Sequence, residues 1–345
     1  MGSPDVRILL YRREARIEAV LWLDGRPAEW ITEQPLALGD IVLGVCGRIH
    51  AGLASAFIQV GDEHEAILPL AGVPRELKPG RVLPVQIRKI RQEPGKGPVV
   101  DARIRLPGKY GVAVPGGRPI RRSRLGQMEP AVADRLFESE VTALSGAWRR
   151  AEAGFGSGAV PRVVCRFGDP VSIAIREWDE RAALCIEGTE LFQLVRDRAS
   201  DPEVLRRMVL HVAEAEGSLW DIYGLESARC KMEAERVPLP CGGFLVIQGT
   251  VALTAIDVNS GSANASGPAA LARTVNEEAA RETARQMRLR NLTGTILIDF
   301  LRMHEEEDAV WLTELLGRET ADDRGKVRIE GMTRLGLMET ARSGC

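Results

Sequence analysis

The stretch Ala252-Leu253-Thr254-Ala255-Ile256-Asp257-Val258-Asn259-Ser260-Gly261 has a counterpart downstream in Gly294-Thr295-Ile296-Leu297-Ile298-Asp299-Phe300. Each contains a short apolar run that ends on an aspartate, the pattern of a buried strand reaching the edge of its sheet. Between them, Pro268–Leu289 carries Leu271, Val275, Ala279, Ala284 and Met287 at helical spacing. Strand, helix and strand in this order predict a right-handed crossover between parallel neighbours. Both carboxylates then emerge at one edge, where open α/β sheets bind ligands. Two aspartates side by side repel unless a cation lies between them, and a hard divalent ion suits one or two carboxylates completed by water and phosphate oxygens. Asn259 lies two residues beyond Asp257 and can orient a ligand there. Aspartate at a strand end is also a common turn residue, so spacing alone leaves that alternative open.

Working outward, Gly243–Gln248 and Thr250–Val258 alternate as a hairpin, Glu305–Glu319 reads as a helix and Val327–Ile329 as a strand. Acidic residues in His304–Asp308 suit the first turn of that helix. Near the N-terminus, Val6–Tyr11 and Ala15–Leu23 form a hairpin pattern, and Asp24-Gly25 supplies a turn into Arg26–Ile31. Short strands with glycine-rich turns at Gly39–Val45, Ala54–Gly61, Ala66–Leu70 and Arg81–Ile90 predict a small β-barrel of the OB type. Pro130–Glu152 reads as a helix, Val160–Phe167 and Ala182–Ile186 as strands. Pro170–Arg176 either continues a sheet or starts a helix. Asp201–Ala215 reads as a helix with Pro202 in its first turn.

Length and composition bound the class. A chain of 345 residues predicts two or three compact units. Hydrophobic residues at 45% and charged residues at 27% are those of a globular protein and exclude wholesale disorder. No apolar stretch is long enough to span a membrane, and the N-terminus lacks a signal-peptide pattern, so a cytoplasmic location is expected. The six cysteines (46, 165, 185, 230, 241 and 345) form no C-x-x-C pair, and the four histidines are isolated. Neither a zinc site nor a disulfide framework follows from that spacing. The net charge of −2 conceals a strong asymmetry. Residues 75–124 hold fourteen Lys/Arg against three acids, a net +11, which leaves −13 on the other 295 residues. A module built to hold a polyanion, attached to an acidic body, has that distribution. The basic run overlaps the end of the predicted barrel, where Phe57 offers a stacking platform for single-stranded nucleic acid.

Several of these segments together resemble the ribonuclease E/G family of bacterial endoribonucleases. The resemblance rests on A-L-T-A-I-D-V-N-S-G (252–261), T-V-N-E-E-A-A-R-E-T-A-R-Q-M-R-L-R-N-L (274–292), G-T-I-L-I-D-F (294–300) and T-R-L-G-L-M-E (333–339). Upstream, G-L-A-S-A-F-I-Q-V-G (52–61) and K-G-P-V-V-D-A-R-I-R-L-P-G-K-Y (96–110) are similar to its RNA-binding module. It implies an α+β multidomain protein. A ribonuclease-H-like subdomain (1–35 plus 160–230) would carry an inserted OB-fold barrel (36–112) and a shortened sensor-like or linker region (113–159). A DNase-I-like α/β catalytic subdomain (231–345) would follow. By position, Asp257 and Asp299 resemble the two magnesium ligands and Asn259 their support. Phe57 and Lys96 match RNA contacts, and Arg121 and Arg122 extend the basic surface. The activity implied is cleavage of single-stranded RNA by metal-activated water, leaving 5′-phosphate and 3′-hydroxyl ends in RNA processing or decay. Mg²⁺ is the expected ion, with Mn²⁺ as an alternative, and no zinc.

The sequence departs from the family pattern at several places. Arg302 stands where an acidic residue follows the second metal ligand, and Ile67 replaces the second aromatic of the barrel. The stretch between Leu125 and Pro161 is short and holds no Arg-Thr pair for sensing a 5′-monophosphate, so end-sensing is expected to be lost or reduced. Cys345 has no second cysteine with which to form the family's zinc link, so a zinc-linked tetramer is not expected, whereas a homodimer is compatible. The competing class is a non-catalytic RNA-binding protein that keeps the fold.

Overall fold

In a computed structural model the structure describes residues 5–71, 73, 77–90, 95–178, 182–199, 201–303 and 306–344, apart from the side chain of Glu306. Expectations about His304, Glu305 and Cys345 lie outside the described residues. The chain divides into two compact units, Met1–Ile31 with Asp179–Cys345, and Thr32–Trp178.

The first unit opens with strands β1 (Val6–Arg13), β2 (Arg16–Leu23) and β3 (Arg26–Thr32). Asp24 and Gly25 both adopt positive φ (48° and 80°), which matches the turn to the twist of the paired strands.

The second unit follows with β4 (Ile41–His50), β5 (Ser55–Gln59), β6 (Ala66–Pro69), β7 (Val82–Lys89) and β8 (Val99–Asp101). These five close on themselves in the order β4-β5-β6-β8-β7, with β7 pairing back to β4. The result is a closed five-stranded barrel of OB-like topology. Alternate residues Ala56, Ile58, Ala66, Leu68, Val85, Ile87 and Val100 fill it. Gly97 is required at its rim, because a Cβ there would lie 2.0 Å from the Glu65 carbonyl oxygen.

Three short strands, β9 (Leu106–Pro107), β10 (Gly111–Ala113) and β11 (Ile120–Arg121), form a small sheet beside helix α1 (Pro130–Ala153). Glu140 of α1 accepts hydrogen bonds from three successive backbone N–H groups, those of Lys109 (2.6 Å), Tyr110 (2.7 Å) and Gly111 (2.9 Å). One carboxylate thus pins the helix to this sheet.

The unit ends with β12 (Arg162–Cys165) and α2 (Pro170–Arg176), so Pro170–Arg176 is helical. β12 pairs antiparallel with β4. The sequence division put residues 160–178 with the ribonuclease-H-like part, whereas the structure places them in the barrel unit. The buried Asp40 carboxylate explains this. It accepts from the Phe167 (2.8 Å) and Gly168 (3.1 Å) amides and so fastens the returning chain to the start of β4.

Back in the first unit, β13 (Ala183–Glu187) pairs parallel with β1, and helix α3 (Thr189–Arg198) follows. The single helix expected over 201–215 is instead helix α4 (Pro202–Arg207), strand β14 (Met208–His211) and the short helix α5 (Ala213–Glu216). Asp201 and Pro202 do start a helix, with the Asp201 side chain accepting from the Glu203 amide. The β-compatible Met-Val-Leu-His run then pairs with β13, and tertiary pairing overrides the helical reading. The sheet order is β14-β13-β1-β2-β3.

Helices α6 (Leu219–Ile222) and α7 (Leu225–Glu233) pack their Leu219 and Leu225 against Leu9, Tyr11, Val20, Trp22 and Trp30 of that sheet. At the centre lies the buried Glu18 carboxylate. It accepts from the Tyr11 hydroxyl (2.8 Å), the Trp30 indole (3.1 Å) and the Arg229 guanidinium (2.6 Å). Every lone-pair direction that matters is satisfied, as burial of a charge demands.

The last sheet consists of β15 (Arg236–Pro238), β16 (Phe244–Gly249), β17 (Leu253–Asn259), β18 (Gly294–Asp299), β19 (Val327–Met332) and β20 (Met338–Arg342), in the order β15-β16-β17-β18-β20-β19. Helix α8 (Pro268–Leu289) connects β17 to β18, and α9 (Glu306–Glu319) follows. Val275, Ala279, Ala280 and Met287 of α8 and Leu312, Leu315 and Leu316 of α9 bury one sheet face, meeting Ile256, Val258, Ile296 and Ile298. Small alanines let α8 lie close to the strands. Asn291 ends α8 in the left-handed region at φ 47°.

The C-terminal strand is locked by a fully buried ion pair. Arg342 donates two 2.8 Å hydrogen bonds to Asp323 and further bonds to Asn291 Oδ1 and the Leu292 carbonyl. Arg342→Met leaves Asp323 buried without its cation and is expected to destabilise the protein by about 3–5 kcal/mol, read as a lower denaturant midpoint.

Candidate functional site

The strands β17 and β18 run parallel with α8 as their crossover, and Asp257 stands in direct register with Asp299. Neighbouring strands lie about 4.8 Å apart, so two carboxylates project side by side from one row. Their neighbours Ile256, Val258, Ile298 and Phe300 point into the helix-covered core, which turns both aspartates to the open face, where they are exposed. Asn259 shares that face and donates a 2.8 Å hydrogen bond from its side-chain amide to Asp257 Oδ2. This fixes the Asp257 carboxylate and leaves its other oxygen free to bind.

Two polar residues of α8 hold the ends of these strands. Asn276, fully buried, donates to the Leu301 carbonyl (2.8 Å) and accepts from the Leu301 amide (2.9 Å), clamping the chain just past Asp299. Glu278 accepts from the Cys241 amide (2.7 Å) in the turn leading to β16. Sequence reading missed both, although an asparagine beside Val275 on an otherwise small and apolar helix face was the available signal. Gly261, at φ 52°, closes the loop after Asn259. A Cβ there would lie 2.5 Å from the Gly242 carbonyl and 3.2 Å from the Phe244 ring.

Like charges in adjacent register destabilise a sheet, and a divalent cation between Asp257 and Asp299 would remove that cost. The donor set is all oxygen, as a hard ion requires. Among the described residues no group of three or more His, Cys, Asp or Glu could hold a metal together. The two aspartates therefore fit an ion that keeps most of its coordination for water and phosphate oxygens, and they offer nothing to a thiophilic metal.

In the barrel, Phe57 is half-buried on the outer face and pairs with Ile67, which in turn pairs with Val99. Arg48, which sequence reading missed, lies with its guanidinium 4.5 Å from the Phe57 ring centroid. Lys96 is exposed, two residues before Pro98, whose carbonyl accepts from the Ile67 amide at 2.8 Å. Phe57, Ile67 and Val99 thus form one row on the outer face of the barrel.

Arg121 and Arg122 are otherwise engaged. Arg121 pairs with Asp134 at 2.8 Å and stacks on Phe137, so much of its charge is met within the chain. Arg122 donates to Glu177 at 2.7 Å in a mostly buried pair that Arg176 also joins. Burial alone would raise the Glu177 carboxyl, but the Arg122 hydrogen bond and the charges of both arginines overrule it and hold it at about 2. Arg122 thus ties the segment just after β11 to the end of α2.

A model of the ribonuclease E/G family matches residues 129–344. Ribonuclease E of Nostoc sp. is 28% identical over 365 residues, covering 88% of this chain and 51% of that protein. Ribonuclease E of Synechocystis sp. is 28% identical, covering 95% of this chain and 55% of its own length. Ribonuclease E of Escherichia coli is also 28% identical, covering 88% of this chain and 33% of its own length. The chain therefore spans about half or less of these relatives. No helix among the described residues is long and apolar enough to cross a membrane.

The Glu177 carboxyl is depressed in the folded state, so its contribution to stability is complete above its ordinary value of 4.5 and is lost as pH falls towards 2. Glu177→Gln is expected to be less stable than the parent at pH 7, with the difference closing between about pH 4.5 and pH 2 in denaturation measured across that range.

Proposed function

The chain belongs to the ribonuclease E/G family, and from that premise we propose that it is a divalent-metal-dependent endoribonuclease acting on single-stranded RNA. The observation that carries this reading is the in-register pair Asp257 and Asp299, with Asn259 bonded to the first, on the uncovered face of a sheet. A protein that only bound RNA would gain nothing from facing two carboxylates towards a polyanion.

In this reading Asp257 and Asp299 hold one Mg²⁺, or Mn²⁺ in its place. The bound ion would supply charge neutralisation at the phosphate and activation of water for attack at phosphorus. Asn259 keeps the Asp257 carboxylate in a single orientation, which preserves ion placement between turnovers. Asn276 holds the chain beyond Asp299 so that the second carboxylate keeps its height relative to the first. The exposed face admits an extended strand without a lid. Cleavage leaves a 5′-phosphate and a 3′-hydroxyl. In the same reading the sheet of β15–β20, which bears the aspartates, is the DNase-I-like part and the sheet of β1–β3, β13 and β14 the ribonuclease-H-like part.

The barrel supplies affinity. Phe57, with Arg48 over its ring, offers stacking together with a cation, and Lys96 offers a phosphate contact. Ile67 in place of a second aromatic gives one stacking position rather than two. Sensing of a 5′-monophosphate is expected to be weak or absent. Neither a zinc-linked tetramer nor a membrane partner belongs to this reading, and a homodimer is compatible with it.

Asp257→Asn and Asp299→Asn are each expected to lower cleavage of an internally A/U-rich, end-labelled RNA by more than about a hundredfold. Asn259→Ala is expected to cost about 10–100-fold, the range typical of a supporting ligand. EDTA should abolish the discrete internal cuts of the parent. Bound but intact RNA, across several substrates and with Mg²⁺ and Mn²⁺ in turn, would replace this reading with that of an RNA-binding protein that keeps the fold.

A further inference from the structure

The open face that bears the aspartates carries a second feature. Arg236 of β15 is in register with Val246, Val246 with Asp257, and Asp257 with Asp299. Directly opposed residues share a face, so the Arg236 side chain belongs to the carboxylate row, two strands from Asp257. Its guanidinium carbon lies 3.6 Å from the centroid of the Phe244 ring. Phe244 is itself opposite Asn259, and its ring lies against the Gly261 backbone. Arg236 is exposed, and among the described residues it has no carboxylate or hydrogen-bond partner. By contrast, Arg328 on the same sheet pairs with Glu330.

A guanidinium held over an aromatic ring with its N–H groups unspent is prepared for a bidentate anion contact. Stacking restricts the side chain before any ligand arrives, which lowers the entropy lost on binding. Its place in the sheet selects the anion. From β16, over which the guanidinium lies, to the midline between β17 and β18 is one and a half strand spacings, about 7 Å. A phosphate bound through a cation at the aspartates would therefore leave the next phosphate along an extended strand within reach of Arg236.

We propose that Arg236, stacked over Phe244, is a positioning residue that takes the RNA phosphodiester adjacent to the one at the cation site of Asp257 and Asp299. The proposal rests on the reading of that site as an RNA-cleaving one. Arg236 orients the backbone, and Phe244 orients Arg236. Because it contacts phosphate alone, it contributes affinity without base preference.

The test uses the full chain carrying Asp299→Asn with Mg²⁺ and a fluorescein-labelled single-stranded RNA of ten nucleotides, followed by anisotropy across a salt series. Adding Arg236→Ala should weaken binding by about tenfold and make the log–log salt slope shallower by about 0.7, the value for one single-strand phosphate contact. Arg236→Lys should keep the slope and recover part of the affinity. Phe244→Leu, which keeps apolar bulk, should lose affinity with Arg236 present and nothing more once Arg236 is alanine. In the chain with both aspartates, Arg236→Ala should raise KM more than it lowers kcat. An Arg236→Ala variant with parental affinity and slope would overturn the proposal. So would loss on Phe244→Leu without loss on Arg236→Ala, which would make the ring a base platform. A parent that binds but never cleaves, with the arginine effect intact, would defeat the enzyme reading and leave the phosphate contact standing.

Discussion

The parallel pairing of β17 and β18 is the constraint on which the candidate site depends. Parallel neighbours cannot be joined by a tight turn, so the chain must travel the length of a helix and return in the same direction. α8 is that return path, and its buried face of Val275, Ala279, Ala280 and Met287 covers the sheet it connects. Register then follows from packing. A slip of one residue would turn Ile256 and Ile298 outwards and bury both aspartates. The apolar core therefore holds two repelling carboxylates together at strand ends, where neither would place itself beside the other.

Around that pair the polar contacts divide by role. Asn259 acts on Asp257 directly, whereas Asn276 and Glu278 act on backbone. Elsewhere the charges meet within the chain: the buried Glu18 carboxylate takes Arg229, and Arg342 and Asp323 are buried together. They give the sheets their rigidity, while the exposed face keeps ionisable groups whose partners must come from outside the chain.

Much of this was legible in the sequence. The two Asp-terminated strands and the helix between them could be read because three elements of ordinary length allow little besides a parallel crossover. The barrel was readable from its short strands and glycine turns. What was not legible depends on partners brought together by folding. Met208–His211 looks helical after Pro202 until β13 is present to pair with it. Arg121 and Arg122 look like free cations until Asp134 and Glu177 arrive from other elements. Arg236 sits in a three-residue strand too short to register as one, and its contact with Phe244 exists only across the ladder. Asp40 could not be seen to tie residues 160–178 to the barrel, because its amide partners lie more than a hundred residues away.

The insertion of the barrel unit between β3 and β13 also orders events during synthesis. β1 pairs with β13, so β1 has no parallel neighbour until more than 170 further residues have been made. By then all five barrel strands and β12, which pairs with β4, have emerged, and the closed pairing of the five lies within Ile41–Asp101. Domains complete within a continuous stretch generally fold as units during translation. The barrel can thus be complete while β1–β3 still wait as an open-edged meander. The barrel strands thus emerge well before Asp257 and Asp299, whose pairing waits for β18.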